Sequence, residues 1–403
     1  MNPTFDPSQP IPRRNRKRLL ELFLVSAKLG LTSFGGPIAH LGYFHEEYIR
    51  RRKWMDERHY ADLVALCQFL PGPASSQVGI GIGIIRAGML GGVVAWLGFT
   101  LPSVIALILF ALLMQGFDLG GASWIHGLKL VAVAIVVQSI LSMGQKLASD
   151  RTRATIAVLS AALSLLWHSV FSQVLVLALA GLVGVLLYRS KSASPTVPLT
   201  IPIHRRWGAL CLAIFGGLLL LLPLLRQGAE AGSLAWFDSF YRSGSLVFGG
   251  GHVVLPLLER EVVPPGWVSQ MDFLAGYGAA QAVPGPLFTF AAYLGALMGG
   301  IKGALLVTAG IFLPAYLLIV GAMPFWNALR QNAKVQGAFI GMNAAVVGLL
   351  LAAIYDPLWT TAVVEPADFA LVSILFLMLV FWKLPPWIVV IAGALGGMLL
   401  GFL

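Results

Sequence analysis

The chain has 403 residues, of which 58% are hydrophobic and 11% charged, with a formal net charge of +10 and a mean hydropathy of +0.84. That balance excludes an ordinary soluble domain and places the chain among integral membrane proteins. The basic residues fall in short clusters between apolar segments, so they mark membrane topology rather than a nucleic-acid surface. Two cysteines, Cys67 and Cys211, and seven histidines without metal-ligand spacing point to neither a disulfide framework, a metal nor another cofactor.

The polar start MNPTFDPSQPIPRRNRKR leads into an apolar segment with no Ala-x-Ala exit, so no cleavable signal peptide is expected. The first apolar segment begins at Leu19, carries Lys28 within it and closes at Phe34-Gly35-Gly36-Pro37. A charged amphipathic stretch through Arg50-Arg51-Arg52-Lys53-Trp54 follows, then the segment Ala61 to Leu70. Next comes the break Gln68-Phe69-Leu70-Pro71-Gly72-Pro73 and a glycine-rich helix ending near Arg86. Proline lacks an amide donor and glycine relaxes the backbone, so each Pro-Gly-Pro interrupts a helix. Longer helices are expected at roughly 88–114, 124–147, 152–168 and 169–188. A polar linker, Arg189 to Arg206, divides the chain, and one helix at roughly 207–226 follows it.

The pattern then restarts. Phe248-Gly249-Gly250 answers Phe34-Gly35-Gly36, and Trp267 answers Trp54. Gln281-Ala282-Val283-Pro284-Gly285-Pro286 answers the first Pro-Gly-Pro, Gly300 to Gly303 answers Gly88 to Gly91, and Leu313-Pro314 answers Leu101-Pro102. Five ordered matches whose offset drifts only from 214 to 212 indicate an internal duplication. Corresponding loops carry opposite charge. Arg50 to Arg58 is net basic while Glu259-Arg260-Glu261 is net acidic. The loop near Asp118 is acidic against Arg330 and Lys334, and Lys146, Asp150, Arg151 and Arg153 stand against Asp356, Glu365 and Asp368. The positive-inside rule therefore predicts inverted repeats with a cytoplasmic N-terminus.

The expected architecture is an all-α polytopic membrane protein of two inverted homologous halves with interrupted helices. Residues 1–17 form a cytoplasmic tail, 18–188 the first repeat, 189–231 a basic linker with a connecting helix, and 232–403 the second repeat. Within the first repeat, 18–52 and 57–86 are expected as hairpins, either re-entrant or tilted full spans, and the second repeat mirrors them.

Broken helices in inverted repeats are a recurrent transporter plan, with substrate near the midplane. The helix starting at Pro73, with Ser75 and Ser76, would present free amides, hydroxyls and a partial positive charge to an anion, and its twin offers Pro286 and Thr289. Lys28 and Arg242 each lie six residues before a Phe-Gly-Gly, and intramembrane cations are functional candidates by default. The alternative is that Lys28 snorkels or pairs with Glu21, and that Arg242 pairs with Asp238. Glu46, Glu47, Glu259 and Glu261 follow the two motifs at similar distances. They would be either proton-coupling groups, Glu47 and Glu261 above all, or solvated helix faces. His40 and His252 do not align between repeats and are not expected to relay protons. The run Gly79-Ile80-Gly81-Ile82-Gly83 lacks the strand and acidic residue of a dinucleotide loop and is read as helix packing. No nucleotide-hydrolysing motif is present, which leaves a secondary transporter rather than an enzyme.

FGGP followed by QFLPGP, then FGGGH followed by QAVPGP, resembles the chromate ion transporter family in its long-chain, two-domain form, over nearly the whole chain from residue 18. The resemblance implies export of chromate across the bacterial inner membrane and chromate resistance. It also implies a small oxyanion partner, with sulfate as the natural competitor because both are tetrahedral dianions. A sulfate porter and a membrane-embedded chromate-reducing enzyme are the alternatives, and a homodimer is left open. The substrate-binding set expected from motifs and resemblance together is Lys28, Phe34, Gly35, Gly36, Gln68, Pro71, Gly72, Pro73, Ser75, Ser76, Arg242, Phe248, Gly249, Gly250, Gln281, Pro284, Gly285, Pro286 and Thr289. The two Pro-Gly-Pro segments are expected to meet near mid-membrane.

Overall fold

The computed structural model describes residues 16–116, 122–167, 170–188, 203–226, 232–248 and 251–402. The N-terminal tail, the loop holding Asp118, most of the 189–206 linker and the pair Gly249-Gly250 lie outside the described residues. Those described contain helices and no strands.

The first repeat opens with α1 (Arg16–Thr32). It stops where Gly35 and Gly36 take φ of 98° and 80°, a left-handed conformation that favours glycine. The chain reverses into α2 (Gly36–Phe44), continued by a π-helical stretch His45–Arg51. Ser26 and Tyr48 hydroxyls bond at 3.1 Å and Arg52 reaches Glu21 at 2.9 Å, so the two arms lie antiparallel. α3 (Glu57–Phe69) starts on Asp56, whose carboxylate accepts from the Arg58 and His59 amides. The Pro-Gly-Pro follows, with Gly72 at φ 111°, and α4 (Ala74–Gly116) folds back along α3. There a Cβ on Gly81 would lie 2.7 Å from Leu63. A third reversal at Ala87-Gly88 brings Gly83 against Gly91, leaving 89–116 as a long crossing.

Before that crossing α1 has 17 residues, α2 has 9 with 7 more in its π-helical continuation, and α3 has 13, against the roughly 20 residues of a typical bilayer span. Their irregular tips are tolerable only where protein buries them or a polar cavity wets them. α5 (Ser123–Leu147), α6 (Arg151–Leu166) and α7 (Val170–Leu187) complete the repeat. α8 (Arg205–Leu225) connects to the second. These four agree with the predicted segments to within two residues.

The second repeat repeats the breaks. α9 (Ser233–Ser245) leads into a short 3-10 turn and α10 (Val254–Val262). α11 (Gln270–Ala280) is followed by Gly285 at φ 99° and by α12 (Phe290–Ala322). α12 reverses at Gly299-Gly300, where φ is −153° and then 60°, close to the −144° and 72° of Ala87-Gly88. Gly295 meets Gly303 as Gly83 meets Gly91. The short α13 (Trp326–Leu329), α14 (Ala333–Ala353), the short α15 (Thr360–Ala362), α16 (Pro366–Val380) and α17 (Pro386–Leu400) finish the chain.

The repeats complete one another. α4 packs on α12, while α5 packs against α16 and α17 of the second repeat and α14 against α6 and α7 of the first. Glycines allow the close approach: a Cβ on Gly127 would lie 2.0 Å from the Gly393 carbonyl oxygen, and one on Gly184 2.1 Å from that of Gly337. Among the described residues, five helical segments are long and apolar enough to cross a membrane. Exposed leucines such as Leu20, Leu24, Leu220 and Leu224 give the outside an apolar coat. The protein is a multi-pass, all-helical membrane protein.

Candidate functional site

A break frees backbone donors and acceptors that need partners away from water. Here the partners come from the opposite repeat. The Gly72 amide donates to the Val247 carbonyl at 2.7 Å, and the Gly285 amide donates to the Ser33 carbonyl at 2.9 Å. Each Pro-Gly-Pro tip is thus clasped by the residue preceding the Phe-Gly-Gly of the other repeat. The neighbouring carbonyls are bonded too: Pro71 accepts from Gln77 at 2.8 Å, Pro284 from the Ser103 hydroxyl, and Pro286 from Thr289 at 2.7 Å. Gly285 is enclosed by Ser103, Gly30 and Phe99, and Gly72 lies beside Ala315. The two clasps share one pattern on different side chains.

At the clasp between Ser33 and Gly285 lies a part-open cavity of about 150 Å³, several times what a single water requires. It brings together Gly35, Gly36, Gln281 and Gly285 of the predicted set with Gln138 of α5, His252 and the start of α17 at Pro386. The N-termini of α2 and α17 reach this cavity and their dipoles favour an anion; Pro37, Pro385 and Pro386 have no N–H, and the Ile388 amide is taken by the Pro385 carbonyl at 3.0 Å. His252 bonds the Tyr277 hydroxyl at 2.8 Å, and the Gln281 side-chain nitrogen is buried beside that hydroxyl without a well-formed hydrogen bond. Near the other clasp aromatic rings pack together: Phe69 lies 4.0 Å and Phe248 5.8 Å, centroid to centroid, from Phe339.

The predicted cations occupy a second duplicated arrangement. Lys28 bonds Glu47 at 3.1 Å and Arg242 bonds Glu261 at 2.8 Å, the same sequence separation of 19 in both repeats. Glu47 and Glu261 are buried, so they are not solvated helix faces. Arg242 also pairs with Asp238 as one alternative expected, but Lys28 does not take Glu21, which instead holds Arg52 and Arg86. The matched tryptophans carry guanidinium groups over their rings, Arg86 over Trp54 at 4.0 Å and Arg226 over Trp267 at 5.6 Å. Neither Lys28 nor Arg242 lines the cavity.

Other predicted residues lie elsewhere. Phe34 sets its ring 6.3 Å from that of Trp387. Gln68 is exposed, Pro71, Gly72 and Pro73 are buried at the other clasp, and Ser75 bonds His40 at 3.3 Å while the buried Ser76 hydroxyl has no partner. None of these lines the cavity, so the cavity joins the second Pro-Gly-Pro to the first Phe-Gly-Gly rather than the two Pro-Gly-Pro segments. Gly249 and Gly250 lie outside the described residues.

Gln138, His252 and the buried Lys129 of α5 were not expected from the sequence. Lys129 sits 5% exposed within electrostatic reach of Asp368, which His126 bonds at 2.6 Å. The signal that could have found them is polar residues on an otherwise apolar span.

The sequence profile of the family described as Chromate transporter matches residues 20–185 and again 234–398. The chromate transport protein of Pseudomonas aeruginosa is 30% identical over 395 residues, which is 94% of this chain and 92% of that protein. The chromate transport protein of Cupriavidus metallidurans is 27% identical over 388 residues, 94% and 92% of the two chains. The probable chromate transport protein of Synechococcus elongatus is 30% identical over 354 residues, 85% and 84% of the two chains. No solved structure matches the chain. A profile met once in each half, together with relatives matched along nearly their whole length, shows that the chain belongs to the chromate transporter family.

Proposed function

We propose that this protein is a secondary transporter that carries chromate out of the cytoplasm across the bacterial inner membrane. It would hold the dianion in the cavity between Gly35-Gly36 and Gln281-Gly285. The observation that carries this reading is the convergence of two helix N-termini and three polar side chains on one cavity at a helix break. The reversed loop charges support inverted repeats, which would let the same clasp open to either side. The domain division at 18–188 and 232–403 follows from the same duplication. Lys28 with Glu47 and Arg242 with Glu261 are the proposed coupling pairs: protonating either carboxylate would release its cation and lower the cost of an approaching dianion.

Everted membrane vesicles given labelled chromate are expected to accumulate it when energised, with excess sulfate competing. Uptake no greater than that of vesicles without the protein would reject chromate export. Recovery of reduced chromium would favour the enzyme alternative, because transport leaves the oxidation state unchanged.

A further inference from the structure

A larger opening of about 460 Å³ adjoins this cavity and shares Gln138, Leu379, Leu384 and Pro386 with it as common walls. α5 lines it with Gln138, Leu141, Ser142 and Gln145, and the three polar residues, at spacings of four and three, lie on one helix face. Its rim is the turn between α16 and α17, where exposed Lys383 takes a left-handed φ of 53°. Among the described residues, Lys383 is the only Lys, Arg, Asp or Glu lining either space. Next to Gln145, the end of α5 and the start of α6 carry Lys146, Arg151 and Arg153 with Asp150, which pairs with Arg153, a net-basic pattern of the kind found on cytoplasmic faces. A cation at the mouth raises the local concentration of anions.

We propose that this vestibule is the cytoplasmic entry route of the oxyanion and that Lys383 is the residue that captures it. The polar face of α5 hands the ion from Lys383 to Gln138 and the cavity, so the structure is the inward-loading state. The inference rests on the proposed export of an oxyanion, and it adds the side of entry and a specificity residue outside the predicted set.

The test uses the full-length protein in vesicles. In everted vesicles, Lys383→Gln should raise KM for chromate roughly three- to tenfold at low ionic strength with little change in maximal rate. The difference should shrink in about 0.5 M salt, where charges are screened within a few ångströms. Lys383→Arg should restore KM. An unchanged KM for Lys383→Gln would overturn the capture role. As a measurement independent of transport rate, Gln145→Cys or Ser142→Cys is placed in a chain whose Cys67 and Cys211 are replaced by alanine. Each should react with a membrane-impermeant thiol reagent in everted but not in right-side-out vesicles, and chromate should slow the reaction. Labelling from the opposite face, or at a rate that neither chromate nor sulfate alters, would overturn the route. Wild-type vesicles that fail to accumulate chromate while sulfate still slows the labelling would reject chromate export and support the route.

Discussion

Gly285→Ala is expected to abolish chromate uptake and to destabilise the protein. The residue sits at φ 99°, and an added Cβ would lie 2.3 Å from the Ser103 hydroxyl oxygen. Left-handed strain contributes about 1–2 kcal/mol, and loss of the buried bond to the Ser33 carbonyl contributes about 1–3 kcal/mol more. The overlap with Ser103 adds to both. Gly72→Ala tests the same argument from the other clasp. Its φ of 111° carries similar strain, but its Cβ would meet only Gln77 at 3.2 Å and Ala315 at 3.6 Å. Gly72→Ala should therefore be the milder variant in thermal unfolding, and Ser103→Ala should partly rescue Gly285→Ala. Wild-type uptake by Gly285→Ala would show that the clasp is dispensable.

Arg242→Gln is expected to be far more damaging to stability than Lys28→Gln, although the two positions correspond in the repeats. Asp238 is fully buried and Glu261 nearly so, and without Arg242 both depend on Arg226 alone. Breaking a buried pair by removing one partner costs about 3–5 kcal/mol. Lys28 is half exposed, and Glu47 keeps Arg52 at 2.9 Å and Arg51 at 3.6 Å when it is lost. That loss should cost no more than about 1 kcal/mol. Thermal unfolding of the purified variants checks this: the midpoint should fall by several degrees for Arg242→Gln and recover in part when Glu261→Gln is added. Both single variants should impair uptake, and unchanged kinetics in both would reject a coupling role for the cations.

The breaks, the duplication and the helix spans were legible in the sequence because they depend on local chemistry. Pro-Gly-Pro cannot continue a helix, and matched motifs at one offset need no structure to be seen. Long-range pairing was not legible. Lys28 has Glu21 two turns away in sequence, yet the reversal at Gly35-Gly36 lays Glu47 beside it, and Glu21 is taken by Arg52 and Arg86. Likewise, symmetry in the motifs suggested that the two Pro-Gly-Pro segments meet. The free Gly72 and Gly285 amides instead find carbonyls at the other broken helix. Gln138 and His252 were passed over because one looks like a lone polar residue in a span and the other has no counterpart in the first repeat. Only the folding of α5 and the second hairpin around one cavity gives them a common purpose.

The central claim is that the cavity at the Ser33–Gly285 clasp holds the oxyanion. Titration of purified protein in lipid nanodiscs with chromate tests it most directly, with the variant Gln138→Leu, Gln281→Leu beside the wild type. Wild type should bind saturably with sulfate competing. The variant should keep its fold and lose at least about tenfold in affinity, since a hydrogen bond to a charged group contributes roughly 1.5–3 kcal/mol. A folded variant that binds chromate as tightly as the wild type would contradict the assignment.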